Sequence, residues 1–365
     1  MTRLLMVVAP PPFLHRTLRL SDFDYEYPRG LIAAYPAEPR DAARLMVVDR
    51  AAGTVEHRTV GDLPDYFSEG DVLVANDTMV FPARLRGTKE TTGARVEVFL
   101  LRELSAESRL WDTVVDPARK VRVGNKLVFS DRLAAEVLDN TTSRGRTLRL
   151  IFDGTPAELY DAIDRIGETP IPPYLRRSSE LADSVRYQTV FAAERGAVAA
   201  PSAGLHFTPG LLRTLRARGA RVETVTLHSG LGSFQSVEVE DLSKHRMASE
   251  CFQVGAGAVE SVNRALASRE ATVTACDTTT VRALESSLSA HRTLRAGAGW
   301  TDAFIYPTHT FHVTERLLAN FHPPRSTLFM MKAAFAGYSL LRHAYEEAVR
   351  EEYRLFAFGD AMLIL

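Results

Sequence analysis

Apolar and polar positions alternate along this chain in two different textures. Residues 72–75 form a compact apolar run after Gly70-Asp71 and predict a buried strand. From 84 to 152 the pattern is short-range: residues 96–101, 121–123, 127–129, 134–138 and 148–152 each read as a strand. Gly124-Asn125 and the polar stretch 140–145 supply turns between them. Short strands at this spacing predict a small barrel or sandwich. Beyond 152, helical and strand patterns alternate. Residues 211–218 predict a helix stopped by Gly219, 222–227 a strand, 259–268 a helix, 272–276 a strand and 281–289 a helix. A long helical pattern covers 335–352, and 355–358 reads as a last strand. This alternation predicts an α/β domain interrupted by a β-rich insert.

Composition narrows the function classes. The 365 residues carry 44 Lys+Arg and 45 Asp+Glu, a net charge of −1, which excludes a strongly basic nucleic-acid binder but not a local basic face. Residues 84–152 are the basic part of the chain, with 14 Lys+Arg against 9 Asp+Glu, a net of +5, which reads either as a solvated β surface with scattered arginines or as a face that meets phosphates. The two cysteines, Cys251 and Cys276, exclude a disulfide framework and a Cys-rich metal site and point to a cytoplasmic protein. No apolar run is long enough for a membrane span. Residues 4–9 are apolar after Arg3, but the run is short, ends in Pro10-Pro11-Pro12 and lacks a cleavage pattern, so residues 1–20 read as a loose N-terminal extension.

Several stretches could carry chemistry. The small-residue loop 200–208 contains Ser202 and Gly204, where missing bulk lets backbone approach a ligand, and ends in His206, which titrates near neutrality. A structural hydrogen-bonding role fits the same histidine. His228, Gly230 and Gly232 lie in a loop after a strand. Arg246 and Glu250 bring a cation and a carboxylate together near His245. Asp277, Thr278 and Thr279 stand between a strand and a helix, suited either to capping or to a ligand anion. Arg282 and Glu285 are at helical spacing for an ion pair. His322 lies in a proline-stiffened loop. His309 and His312 lack the further ligands a metal needs, so no metal is expected. GxxxxGK[ST], GxSxG and HExxH motifs are absent.

Taken in order, a longer set of motifs resembles one family. It includes Asp22-Phe23-Asp24-Tyr25-Glu26, Asn76-Asp77-Thr78, Pro117-Ala118-Arg119-Lys120, Arg186-Tyr187-Gln188-Thr189-Val190 and Gly204-Leu205-His206-Phe207-Thr208. It continues through His245-Arg246-Met247, Gly299-Trp300-Thr301-Asp302, Asn320-Phe321-His322, Phe335-Ala336-Gly337 and Gly359-Asp360-Ala361-Met362-Leu363. The chain is similar along nearly its whole length to the S-adenosylmethionine:tRNA ribosyltransferase-isomerase family of queuosine biosynthesis.

The resemblance implies a larger α/β catalytic domain, residues 21–83 and 156–365, with an inserted small β-barrel domain, residues 84–155. It implies a monomeric enzyme that uses S-adenosylmethionine as co-substrate, needs no metal and acts on the tRNA anticodon region. Ribosyl transfer to the aminomethyl group of a wobble 7-deazaguanine, with loss of adenine and methionine, would give epoxyqueuosine. His206, His322, Glu250 and Asp302 are then the candidate acid/base groups. Ser202, Gly204, His228, Gly230, Gly232, Arg246, Asp277, Thr278, Thr279 and Arg282 are candidates for holding S-adenosylmethionine.

The chain departs from the family pattern at Met79 (usually Arg), Asp277 (Gly), Thr280 (Ser), Ser202 (Thr), Ser229 (Val), Ser233 (Thr), Ala248 (His), Pro323 (Leu), Arg325 (Lys) and Lys332 (apolar). Met79 and Asp277 weaken attraction for an anion, and Lys332 is expected to act the other way. An altered site of this kind keeps open a second reading, a small-molecule acceptor in place of tRNA.

Overall fold

The computed structural model describes residues 17–230, 237–268 and 270–365. Seventeen strands are present among them. β1 (Arg44–Asp49), β2 (Thr54–Thr59), β3 (Val72–Asn76) and β4 (Thr78–Val80) precede the basic segment. That segment forms β5 (Arg84–Lys89), β6 (Arg95–Ser105), β7 (Leu110–Asp116), β8 (Lys126–Val128), β9 (Leu133–Asn140) and β10 (Gly145–Phe152). Then follow β11 (Glu194–Ala197), β12 (Arg221–Leu227), β13 (Glu250–Val254), β14 (Val273–Cys276), β15 (Gly297–Thr301), β16 (Arg316–Asn320) and β17 (Ala361–Ile364). Nine strands make one sheet in the order β15-β13-β12-β3-β14-β16-β17-β1-β2, and β5–β10 close into a barrel. The fold is therefore α/β with a β-barrel, as the alternating textures predict.

The central strands β12, β3, β14 and β16 run parallel. Parallel strands are covered on both faces, which is why β3 and β14 are buried at every position rather than alternating. Helices cover the sheet: α3 (Pro209–Ala217), α4 (Ala256–Ala267), α5 (Thr278–Ser286), α6 (Thr327–Ala336) and α7 (Tyr338–Arg350), besides α1 (Pro156–Ile166) and the one-turn α2 (Asp183–Arg186). Under the barrel, Leu85, Val98, Leu127 and Leu148 pack with Leu159 and Ile163 of α1. α1 starts where Thr155 and Glu158 cap each other reciprocally and Pro156 occupies the first turn.

Four expected elements differ. Residues 121–123 are not a strand: Val121 is fully buried, its carbonyl accepts from Arg146 Nε (2.9 Å), and Gly124 turns the chain. The pattern 335–352 is two helices, because Gly337 adopts φ +85° and breaks the hydrogen-bond ladder between α6 and α7. Residues 355–358 form no strand: Leu355 makes a single parallel bridge to Ile32, Phe356 then has φ +72°, and the carbonyls of Phe356 and Ala357 turn to the Asn320 amide. Residues 17–20 are docked rather than loose, with Leu20 N–H donating to the Glu240 carbonyl (2.8 Å) and Leu20 in the main core. The rest of the N-terminal extension lies outside the described residues. Among the described residues no helix is long and apolar enough to cross a membrane.

Candidate active site

Parallel order sends the carboxyl ends of β12, β3, β14 and β16 to one edge of the sheet, where ligands of open α/β sheets bind. His228 follows β12, Asn76 ends β3, Asp277 follows β14, and Asn320 ends β16 just before His322. β13 runs antiparallel to β12, so Glu250 at its start reaches the same edge, with Thr301 opposite and Asp302 beyond. Residues far apart in sequence thus share one rim. They do not share one point. From β16 to β15 there are five strand intervals, about 24 Å at the usual spacing. His206 and His322 stand at one end of that span, Glu250 and Asp302 at the other.

The β16 end is dry. His206, on the tight turn Ser202–His206, is buried, and its Nε2 lies 3.2 Å from Asn320 Oδ1. Asn320 spends its amide protons on the carbonyls of Phe356 (2.9 Å) and Ala357 (3.3 Å). Its Oδ1 must therefore accept, which places the histidine proton on Nε2. His322 is held through its backbone: its N–H donates to Tyr345 Oη (2.9 Å) and its carbonyl accepts from Tyr25 Oη (2.6 Å). Its ring Nδ1 is buried with no partner among the described residues. Burial, with Lys332 alongside, holds the imidazolium form of His322 well below the ordinary range.

Burial pushes the pKa of His206 down to about 4, the Asn320 contact opposing it. The unfolded chain binds that proton near pH 6.5. Between these values the unfolded state carries more protons than the native state, so stability falls as pH drops. The full contribution, about 3 kcal/mol, is present above roughly pH 6.5 and lost below about pH 4. Urea midpoints measured from pH 7 to 4 should show this loss, and His206→Asn should remove it. Identical pH slopes in both proteins would refute the assignment.

At the middle of the edge Asp277 adopts φ +81°, ψ 151°, a region that favours glycine. Its Oδ1 accepts from Thr279 N–H (3.0 Å) and Oγ1 (2.8 Å), and its Oδ2 from Ala203 N–H (3.3 Å). The carboxylate thus caps α5 and ties it to the turn that carries His206. Thr279 Oγ1 also receives Asn76 Nδ2 (2.9 Å), and Thr278 is buried behind it. Strain of about 1–3 kcal/mol goes with that backbone. Asp277→Ala loses the cap and keeps the strain, whereas Asp277→Gly loses the cap and relieves it. The glycine variant should therefore be the more stable of the two by about 1–3 kcal/mol in chemical denaturation. Equal stabilities would show that the backbone is not strained.

The remaining candidates divide between core and surface. Arg282 and Glu250 form a buried ion pair. Arg282 also donates to the carbonyls of Ala303 (3.1 Å) and Thr301 (3.3 Å), while Glu250 Oε1 accepts from Gly230 N–H (2.8 Å). Glu250 is thereby no free base, and Arg282 does not pair with Glu285, which accepts backbone N–H groups of residues 312–314 instead. Packing favours glycine at 204, since a Cβ there would lie 2.9 Å from Thr189 Cγ2. His228 shares a hydrogen bond with Thr78 Oγ1 (2.8 Å), its ring lies on Gly196, and burial lowers its pKa. Ser202 is half-buried. Arg246 and Asp302 are exposed around one hollow of about 280 Å³. Gly232 and Ser233 lie outside the described residues. Among the described residues no three His, Cys, Asp or Glu side chains are grouped to hold a metal.

The profile of the family described as Queuosine biosynthesis protein matches residues 20–364. An S-adenosylmethionine:tRNA ribosyltransferase-isomerase from Flavobacterium psychrophilum is 55% identical, over 95% of this chain and 100% of its own length. The protein of that name from Cytophaga hutchinsonii is 53% identical over the same share of each. A crystal structure of S-adenosylmethionine tRNA ribosyltransferase from Thermotoga maritima is 35% identical, covers 94% of this chain and 100% of the other, and superposes with a TM-score of 0.53. This chain belongs to the queuosine biosynthesis family.

Within that family frame the departures take on physical meaning. Lys332 does not attract an anion, contrary to expectation. It is fully buried on α6, where Nζ donates to the Asn320 carbonyl (2.7 Å) and lies 4.5 Å from the Tyr345 ring centre. Burial holds its amine well below the ordinary range. Its place in the queuosine-family scaffold is to brace the strand end that positions both histidines. Arg325 forms an ion pair with Asp24. Met79 is half-buried beside Arg195 on β11. Sequence reading assigns no site role to Asn76 or Asn320 and an anion-attracting one to Lys332. The two asparagines end parallel strands, a signal available only once the strand order is known.

Proposed function

We propose that this chain transfers and isomerises the ribosyl part of S-adenosylmethionine onto the aminomethyl group of 7-aminomethyl-7-deazaguanine in the tRNA anticodon. The products are epoxyqueuosine, adenine and methionine. The observation that carries this reading is the end-to-end similarity to relatives of that name, at 53–55% identity. The chemistry needs a base for a 5′ proton acidified by the sulfonium, a proton for departing adenine, an unprotonated acceptor amine and exclusion of water.

The residues fit such a co-substrate. His322 offers a buried ring nitrogen with no partner among the described residues, and takes the proton-transfer role. His206 is a neutral positioning group through Asn320. Asp277 puts a carboxylate at the middle of the edge, favourable to a sulfonium and unfavourable to a second anion. His228 and Ser202 flank it, while Arg246 and Asp302 face the RNA. One chain supplies every group in this reading, which is a monomer acting in the cytoplasm.

Release of adenine and methionine, followed with and without an anticodon stem-loop carrying the aminomethyl base, tests the proposal. Release that requires the stem-loop, weakens steeply with salt and adds the epoxycyclopentanediol mass is expected. Release without RNA, or only with a small-molecule amine, would overturn it in favour of another acceptor.

A further inference from the structure

Between Trp300 and Tyr306 the chain alternates. Thr301 and Ile305 are buried, whereas Trp300 is 56% exposed, Asp302 is exposed, and Phe304 and Tyr306 are half-buried. The Phe304 and Tyr306 rings stack at 4.6 Å and 20°, and His245 meets Phe304 edge-on at 4.8 Å. Two hollows open on that stack. One, of about 280 Å³, contains Arg246 and Asp302, and the other, of about 410 Å³, contains His309. Trp300 lies on β15, the edge strand of the nine-stranded sheet, and Arg102 from the barrel sits 5.0 Å over its ring.

We propose that this face, Trp300 through Tyr306 with Arg102 and Arg246, is a stacking platform for unpaired bases of the RNA substrate. The inference rests on the tRNA reading and assigns it a surface. A large exposed aromatic on an open edge strand, continuous with the Phe304–Tyr306 stack, offers a ring face on which a base can lie. Aromatic faces flanked by arginines are how proteins hold splayed bases of RNA loops. The charge fits: Arg102 belongs to the segment with net charge +5, and among the described residues Arg246 makes long contacts, of 3.3–3.4 Å, to backbone carbonyls. Asp302 repels phosphate, so it faces bases, where a carboxylate accepts from an exocyclic amine or ring N–H. The backbone of the RNA then follows the arginines. The platform begins at the end of the sheet edge farthest from His322, so it grips nucleotides beside the reacting one.

The chain has two tryptophans, and the other, Trp111, is buried in the barrel. Both emit, but only Trp300 is open to contact by RNA, so the part of the emission that RNA changes and that Trp300→Ala removes reports on Trp300. Titrating the full-length protein with an anticodon stem-loop should quench it. Trp300→Ala should abolish the quench and weaken stem-loop binding, read by anisotropy, roughly ten- to hundred-fold, with KM for RNA rising and KM for S-adenosylmethionine unchanged. Trp300→Phe should restore most of the affinity. Arg102→Gln should reduce the salt slope by about one ion. Stem-loop binding by the wild type with no quench, and equal affinity in Trp300→Ala, would overturn the platform while leaving the tRNA reading intact. No stem-loop binding by the wild type would overturn both.

Discussion

Arg282→Ala is expected to destabilise the protein by roughly 3–5 kcal/mol. Both members of the Glu250–Arg282 pair are about 4% exposed. Removing the guanidinium leaves a carboxylate in the interior with, among the described residues, the Gly230 N–H to stabilise it. It also frees the carbonyls of Thr301 and Ala303, which Arg282 holds against α5. Burying an ion unpaired is the costly event, not loss of the attraction itself. The double variant Glu250→Gln with Arg282→Met should therefore recover part of the loss, because neither side chain then needs charge compensation. Chemical denaturation of the three proteins decides it. A single-variant cost below about 1 kcal/mol would mean the pair is hydrated rather than buried.

That same pair shows where the sequence was legible and where it was not. A carboxylate at Glu250 four residues from Arg246 suggested an exposed acid/base cluster. Its true partner comes from a helix 32 residues later, brought across by the sheet. Spacing reads local geometry well. It found β3, the α3 helix, most of the barrel strands and the alternation that makes the α/β layer. It ran one helix through Gly337 because the apolar period continues on both sides and only the φ angle breaks it. Long-range order is what it missed. Asn76, Asp277 and Asn320 meet because three parallel strands end together. Gly204 reads as a ligand cradle in sequence, and the fold adds a packing reason that spacing does not carry, room for Thr189. Lys332 looked like an offered charge, yet on a helix face turned wholly inward it serves as a hydrogen-bond donor to a strand end.

His322→Ala is expected to lower turnover by roughly 10²–10⁴-fold, the usual worth of a positioned acid or base. The argument is one of accounting for polar atoms. Asn320, Tyr25, Tyr345 and Lys332 all direct their polar groups to backbone or to each other around this loop, so its shape is fixed without the imidazole. The His322 Nδ1 in this loop is left without a partner among the described residues. An unpaired buried donor or acceptor is destabilising, and its retention is explained by a partner that arrives with substrate. Truncation should then reduce kcat far more than it raises KM for S-adenosylmethionine, and should leave stability unchanged or slightly improved. The wild-type acid limb should lie below the ordinary histidine value of about 6.5, since burial and Lys332 both disfavour protonation. Lys332→Met removes that cation and should move the limb upward toward it. Single-turnover rates measured across pH 4.5–8 for the three proteins (about half a unit apart) separate chemistry from binding. Full turnover by His322→Ala would transfer the proton role to His206 and leave the unpaired nitrogen without a function.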